Sequence, residues 1–349
     1  MANLIFVSVL GLLLGGLYFF GFQRFTGERW QFIGAIPLGK EEDGRWRGLN
    51  LTYYGLFNAN ACTLSVLIVY MLMSAGGLSL TASNLIIASV MGVCIPAAKL
   101  MARWVEKKAH TFSIGGAAFV GMVAAPPLMV MLNAIGPLWN MPPFPVMPPL
   151  AAIAIGYAVG EGIGRLACLS FGCCYGKPLD RLPPLLRRWM APFCITYHGG
   201  TKKIAYADAL QGCRVVAVPA ITTVLYTLAG LLGILVYLNG KSAAAYLLCV
   251  VITQLWRFVS EFLRTDYRGT GQISAYQKMA LGAVVYAVAV SIWAPAVHTS
   301  ADIMVGLRLL WNPGIIISCQ IFWIGIFLYM GRSQVTGAYI TFHVHKDRI

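Results

Sequence analysis

"GYAVGEGIGRLACLSFGCCYGKP", Gly156 to Pro178, is a glycine-rich apolar run that carries a glutamate and an arginine four residues apart, then breaks into a polar stretch at two adjacent cysteines. On a helix, residues i and i+4 are neighbours, so Glu161 and Arg165 can neutralise one another. An ionisable side chain at the centre of a membrane helix costs at least ~2.5–3.5 kcal/mol unless it is paired or hydrated. The run therefore reads as a buried helix with a charged purpose near one end, and the remainder of the chain says which solvent buries it. Of 349 residues, 58% are hydrophobic and 11% charged, and the mean hydropathy is +0.73. Soluble domains carry roughly a quarter charged residues, so this composition describes a membrane protein.

Because every backbone polar group in hydrocarbon must be satisfied within its own segment, a spanning helix needs about 20 mostly apolar residues. Segments 3–21, 52–74, 83–104, 113–135, 150–170, 217–238, 243–264, 275–296 and 313–331 qualify, giving eight or nine spans. The first lacks a basic leading region and a small-residue cleavage site, so it reads as an anchor in a chain beginning near Met1. No repeat of 20–50 residues is visible, and the large polar insertions are 22–50 and 172–216. The expected architecture is an all-α polytopic membrane protein with a small polar cap over 172–216.

The formal charge of +14 is concentrated in the loop 22–50, at Lys107 and Lys108, and in 172–216, all on one side of the membrane. Counting lysines and arginines by the positive-inside rule makes that side cytoplasmic; binding of anionic headgroups is the alternative use, at about 1 kcal/mol per basic residue. Nucleic acid is an unsuitable partner, since the charges flank spans and no binding module is present. Lys99 and Arg103 sit near a helix end and read as snorkelling residues. Arg257, Glu261 and Arg264 recur at spacings of four and three on one helix face. Arg165 and Arg257, each with one carboxylate nearby in sequence, keep donor capacity for an anion.

These residues resemble the prolipoprotein diacylglyceryl transferase family, whose signature has the form G-R-[LI]-G-N-F-x-N-G-E-x-[WY]-G-[RK]. Gly164, Arg165 and Leu166 match its start, and Gly172, Tyr175, Gly176 and Lys177 its end. A second segment, R-F-x-x-E-x-x-R-x-x-D, is similar to Arg257, Phe258, Glu261 and Arg264 followed by Asp266 or Tyr267. Ile273, Ser274 and Gln277 match the sequel I-S-x-x-Q, Tyr54 stands in the tyrosine position of "YYGL", and "FSIGGAAFVG", with Gly115 and Gly116, resembles an F-H-G-G stretch. The resemblance covers roughly 50–297 and leaves an anchor helix and basic loop at 1–49 and a helix and tail at 298–349 as extras. The departures are Ile114 at the histidine position, Cys168 at the signature asparagine and Cys173 at the signature glutamate, with Thr223 and Val224 where Q-L-Y-E would end. The "HGG" at His198–Gly200 lies in the polar loop and reads as coincidence.

The resemblance implies transfer of a diacylglyceryl group from phosphatidylglycerol to a cysteine thiol of a lipoprotein precursor, with release of glycerol phosphate, at the bacterial cytoplasmic (inner) membrane. In that chemistry Arg165 and Arg257 stabilise the leaving phosphate, Glu261 orients them and Arg264 stands at the mouth. Gly172 to Gly176 turns over the lipid so that backbone N–H groups approach the phosphate, with Lys177, Gly115 and Gly116 also against substrate. With Ile114 in place of histidine, His110, Tyr54 and Tyr175 are the available bases for the thiol, which is mostly protonated at neutral pH. A phospholipid-processing transferase with another acceptor, or a lipid transporter, remains an alternative, although no inverted repeat supports transport.

Of nine cysteines, Cys62, Cys94, Cys168, Cys249 and Cys319 lie in or beside spans and read as packing residues. Cys173, Cys174, Cys194 and Cys213 gather in the cap, an even number suited to disulfides if the cap faces an oxidising compartment. Free thiols, a metal site, or a thiol that carries the diacylglyceryl group are the other readings. Metal is disfavoured because adjacent cysteines do not readily both take tetrahedral positions and no C-x2-C spacing occurs; no metal and no cofactor is expected. The side of the cap stays open, since the family's signature emerges on the outer face while the charge count places it inside.

Overall fold

The computed structural model describes residues 2–44, 46–105, 107, 113–265, 273–295, 301–340 and 345–348; Arg45, Lys108, His110, Asp266 and Tyr267 lie outside these. Among the described residues nine helices are long and apolar enough to cross a membrane. They are α1 (Ala2–Arg24), α2 (Tyr53–Ala75), α3 (Leu80–Val105), α4 (Ile114–Ile135), α5 (Met147–Phe171), α8 (Val218–Leu238), α9 (Ser242–Leu263), α10 (Ala275–Trp293) and α12 (Pro313–Met330), with short α6 (Pro184–Met190), α7 (Lys203–Asp208) and α11 (Ile303–Leu309) between them. All nine expected segments are helical, and the polytopic α-helical class holds.

Their ends follow from local chemistry. Thr52 and Ser113 cap α2 and α4 by accepting from the N–H groups of Gly55 and Gly116. Ser274 and Gln277 form a reciprocal capping box on α10. Gly172, at φ +72°, is the left-handed residue that ends α5.

The charged run lies on α5, the central helix, which packs against α2, α8 and α9. Its glycines set the spacing. A Cβ at Gly156 would lie 2.5 Å from Val69 Cγ2, and one at Gly160 would lie 2.7 Å from Ser65 Cβ, so α2 and α5 meet backbone to backbone. Ser65 Oγ donates to the Gly156 carbonyl across this seam at 2.8 Å. Of the apolar window of α5, 72% is buried, against 17% for α1 and 11% for α12, which are peripheral and lipid-facing in character.

With nine alternating crossings, the connections after α1, α3, α5 and α9 and the tail after α12 emerge on one face. There the structure adds what the sequence did not announce. Antiparallel strands β1 (Phe32–Lys40), β2 (Trp46–Thr52) and β5 (Arg332–Ile340) form a sheet in the order β1-β2-β5, and β3 (Cys194–Thr196) pairs with β4 (Arg214–Val216). The two terminal extensions therefore join each other over the membrane domain. Pro37 is tolerated because β1 is an edge strand. Lys202, one of the cap's basic residues, is not on the surface: it is fully buried, and its Nζ donates to the carbonyls of Ser170 (2.6 Å) and Phe25 (3.2 Å) at the ends of α5 and α1.

Candidate functional site

Tyr157, Glu161, Arg165 and Cys168 follow one another at spacings of four, four and three on α5, which places them on one stripe of the helix. The stripe ends at the cap. Glu161 Oε1 accepts from Arg165 Nη2 and, from across the α5–α9 interface, from Arg257 Nη2 at 3.5 Å. Arg257 Nη2 also donates to the Tyr157 hydroxyl at 2.6 Å. Arg257 and Glu161 are buried and Arg165 is largely so, with side-chain exposures of 8%, 6% and 14%. Two cations share one anion here, and the Nε–H of each arginine is buried without a hydrogen-bond partner among the described residues. The cluster thus carries a net positive charge and unspent donors, which is a demand for an anion.

Gly115 makes this possible from the side of α4: a Cβ there would lie 2.2 Å from Arg257 Nη1. Gly116 serves packing instead, its missing side chain admitting Met101 of α3.

Against the cluster lies a cavity of about 400 Å3, within the range of small-molecule sites. Glu161, Arg165, Cys168 and Tyr54 line its charged end, while Ile95, Ile114, Phe322 and Ile326 belong to its apolar wall. A second apolar cavity, about 190 Å3, shares Ser65, Met91, Cys94, Ala118 and Tyr157 with it and reaches Leu150 and Val250. A cationic end joined to apolar chambers suits an amphiphile with an anionic headgroup. Phe322, Ile326 and Tyr329 come from α12, so the C-terminal extension supplies part of the wall.

Beyond α5 the chain folds back on itself. Gly172 and Cys173 both donate their N–H groups to the Cys168 carbonyl, at 2.9 and 3.1 Å. Gly176 donates to Val216 O and Lys177 to Leu263 O, at 3.0 and 2.8 Å, and Gly176 bridges the backbone of Arg264. These four N–H groups are thus committed to protein carbonyls, so within the Gly172–Gly176 turn the donors of Gly172, Cys173 and Gly176 face protein and not phosphate. The turn's output is different: it brings the sulfur atoms of Cys168, Cys173 and Cys174 within 4.8 Å of one another.

Electrostatically the pair beyond the helix divides. The Cys174 thiol is held well below its usual range by hydrogen bonds from Cys168 and Cys173 and by the guanidiniums of Arg264 and Arg165. Cys173, which donates within the cluster, is pushed up. Cys194 donates to the Met190 carbonyl at 3.3 Å, and all nine cysteines stand as free thiols in this structure.

The remaining expected site residues divide in the same way. Tyr54 lines the cavity and rests its ring against Phe171, with centroids 5.5 Å apart. Tyr175 is buried and donates to Asp208 Oδ2, away from the cavity lining. Lys177 is exposed on the cap, and Arg264 is buried beside the Cys174 turn. Glu261 accepts from Ser274 Oγ at 3.5 Å, and the carboxylate shared by the two arginines is Glu161, which spacing had paired with Arg165 alone. Tyr157 joins the site without any motif to mark it; its position four residues before Glu161 is the signal the sequence carries. Cys168, a packing residue by sequence, belongs to the thiol cluster.

The fold and this site together define a multi-pass membrane protein with a buried cationic end to an apolar cavity. The model of the family described as prolipoprotein diacylglyceryl transferase matches residues 45–293, and the chain belongs to that family, one of transferases in lipoprotein biosynthesis that act on a lipid donor within the membrane. No curated protein matches the chain.

Proposed function

We propose that this protein, in the bacterial cytoplasmic membrane, takes phosphatidylglycerol as donor and transfers its diacylglyceryl group to a cysteine thiol of a lipoprotein precursor. The observation that carries the reading is the pair Arg165 and Arg257 held by a single carboxylate, Glu161, with Glu161 and Arg165 lining the end of the apolar cavity and Arg257 behind them. The acyl chains occupy the apolar chambers and the phosphate meets the guanidiniums. As the C–O bond to the glyceryl carbon breaks, charge grows on the departing glycerol phosphate, and donors already in place stabilise it without reorganising. Glu161 and Tyr157 keep Arg257 in register, and Gly115 leaves it room. Ile114 lines the cavity, so the base for the acceptor thiol comes from elsewhere; of the expected candidates among the described residues, Tyr54 is the one that lines it.

The test is release of glycerol phosphate by purified protein given headgroup-labelled phosphatidylglycerol and a peptide bearing a lipoprotein cysteine. Arg165→Ala and Arg257→Ala are each expected to lower the rate by ~10²–10³, with lysine restoring little because an ammonium lacks the planar fork. Wild-type rates in both alanine variants would remove the phosphate clamp. Release that needs no peptide, or that needs a different nucleophile, would move the protein to a phospholipid transferase with another acceptor.

A further inference from the structure

We propose that Cys168, Cys173 and Cys174 bind one thiophilic divalent ion, zinc, at the charged end of the cavity, through their three sulfur atoms. Cys168 lines the cavity, and the ion's fourth position, turned to that side, takes the acceptor thiol, a clause that rests on the transferase reading.

The geometry is the first support. The three Sγ atoms lie within 4.8 Å of one another; a tetrahedral zinc with bonds of about 2.3 Å needs sulfurs about 3.8 Å apart, so small side-chain rotations close the site. Adjacent cysteines normally diverge, and this argued against a metal at the level of sequence. The backbone answers it: Gly172 at φ +72° reverses the chain at the end of α5, and Cys174 at φ +59° turns left-handed. A non-glycine residue in that region is uncommon and needs a compensating purpose. Here it turns two neighbouring thiols toward a third, one helical turn back. Two of the three sulfurs, Cys168 and Cys173, stand where the family signature has asparagine and glutamate, so the departures from the signature fall together on one candidate ligand set.

The surroundings are the second support. Tyr197, fully buried, has a hydroxyl with no hydrogen-bond partner among the described residues, and it lies within electrostatic reach of all three thiols. Arg165 Nη1 is 4.0 Å from Cys168 Sγ, and its Nε–H is also unpartnered. A trithiolate around a divalent cation carries one net negative charge, and its sulfurs accept from such donors. Outer partners of this kind orient and tune a metal site.

The chemistry fills the vacancy left by Ile114. An acceptor thiol that coordinates zinc loses its proton to solvent, since a coordinating thiol is deprotonated. The bound thiolate's electron pair then forms the S–C bond to the glyceryl carbon of the lipid. The C–O bond to phosphate breaks, and its electron pair leaves with glycerol phosphate beside Arg165 and Arg257. No redox change occurs.

The full-length chain, made in zinc-containing medium and purified in detergent with a non-thiol reductant, is expected to hold one zinc per chain by elemental mass spectrometry. Exchange with cobalt should give a thiolate-to-cobalt charge-transfer band. Cys168→Ser and Cys173→Ser should each lower metal retention at least tenfold, whereas Cys194→Ser and Cys213→Ser retain it. Because a serine variant can fail to fold, wild-type protein stripped with chelator and reloaded with cobalt gives an independent reading. Metal content no higher in the wild type than in the triple serine variant, or cobalt bound without the charge-transfer band, overturns the site. A zinc-loaded protein that releases no glycerol phosphate overturns the transferase reading and leaves the metal site standing. Undiminished release by stripped protein overturns the acceptor position instead.

Discussion

At the scale of the residue, the site turns on a charge count. Glu161 faces two buried guanidiniums, and removal of one member of a buried ion cluster is costly when it leaves charge unpaired. Glu161→Gln leaves two cations with no anion, while Arg165→Met leaves one cation with one anion. We expect Glu161→Gln to destabilise the protein by about 3–5 kcal/mol and to lower its thermal midpoint further than Arg165→Met does, measured in the same detergent. Equal midpoints would mean that water or lipid phosphate, not Glu161, neutralises the pair. The stripe Tyr157–Glu161–Arg165–Cys168 was legible, because helical spacing alone puts those residues on one line. The arrival of Arg257 on the same carboxylate was not, because 96 residues separate Arg257 from Glu161 and no local rule links them. Spacing paired Glu161 with Arg165 and left Arg257 beside Glu261 on its own helix, whereas packing brings Arg257 to Glu161.

At the scale of the element, α5 works because α2 and α8 can approach it. The Gly156 and Gly160 contacts with α2 are van der Waals packing, which holds helices together where lipid supplies no hydrophobic drive. Gly160→Ala places a methyl 2.7 Å from Ser65 Cβ, and α2 must shift or α5 must rotate. The expected cost is about 1–3 kcal/mol, as for other overpacked interiors, with a loss of lipid turnover because Tyr54 and Arg165 sit on the two separated helices. A Gly160→Ala variant with unchanged midpoint and turnover would show that the seam yields freely. Spans of this kind are readable, since twenty apolar residues have few other fates in lipid. Strands β1 and β2 were not: "FIGAIPLGK" and "WRGLNLT" carry glycine, proline and flanking charge, and β2 finds its second partner, β5, nearly three hundred residues later.

For the whole molecule, the cap is fastened to the membrane domain from within. Lys202 ties the cap to the carbonyl ends of α1 and α5, satisfying acceptors that helix termini leave open. Burial lowers its pKa from 10.5 to about 8. Between these values the unfolded chain holds the proton and the folded one has lost it, so stability rises with pH across the window, and below about pH 8 the buried charge is a full penalty. The net shift, in which burial outweighs the opposing pull of Glu28 and Cys173, corresponds to a rise of about 3 kcal/mol. Unfolding followed from pH 8 to 10.5 should show this slope in the wild type and lose it in Lys202→Met; matching slopes would place the titration elsewhere. The terminal extensions complete the assembly, one by pairing β5 with β2 and the other by anchoring α1 beside α8. Through α12 they also close one wall of the cavity.

Sequence alone determined the solvent, the places of eight or nine spans, and the presence of arginines too costly to bury without an anion, because each rests on a sum over neighbouring residues. Tertiary structure decided which carboxylate the arginines share, that Lys202 faces inward, and that three cysteines read as packing and disulfide candidates converge on one point. Those outcomes depend on where a left-handed turn and a glycine seam bring distant atoms, and distance in space is what a linear pattern does not encode.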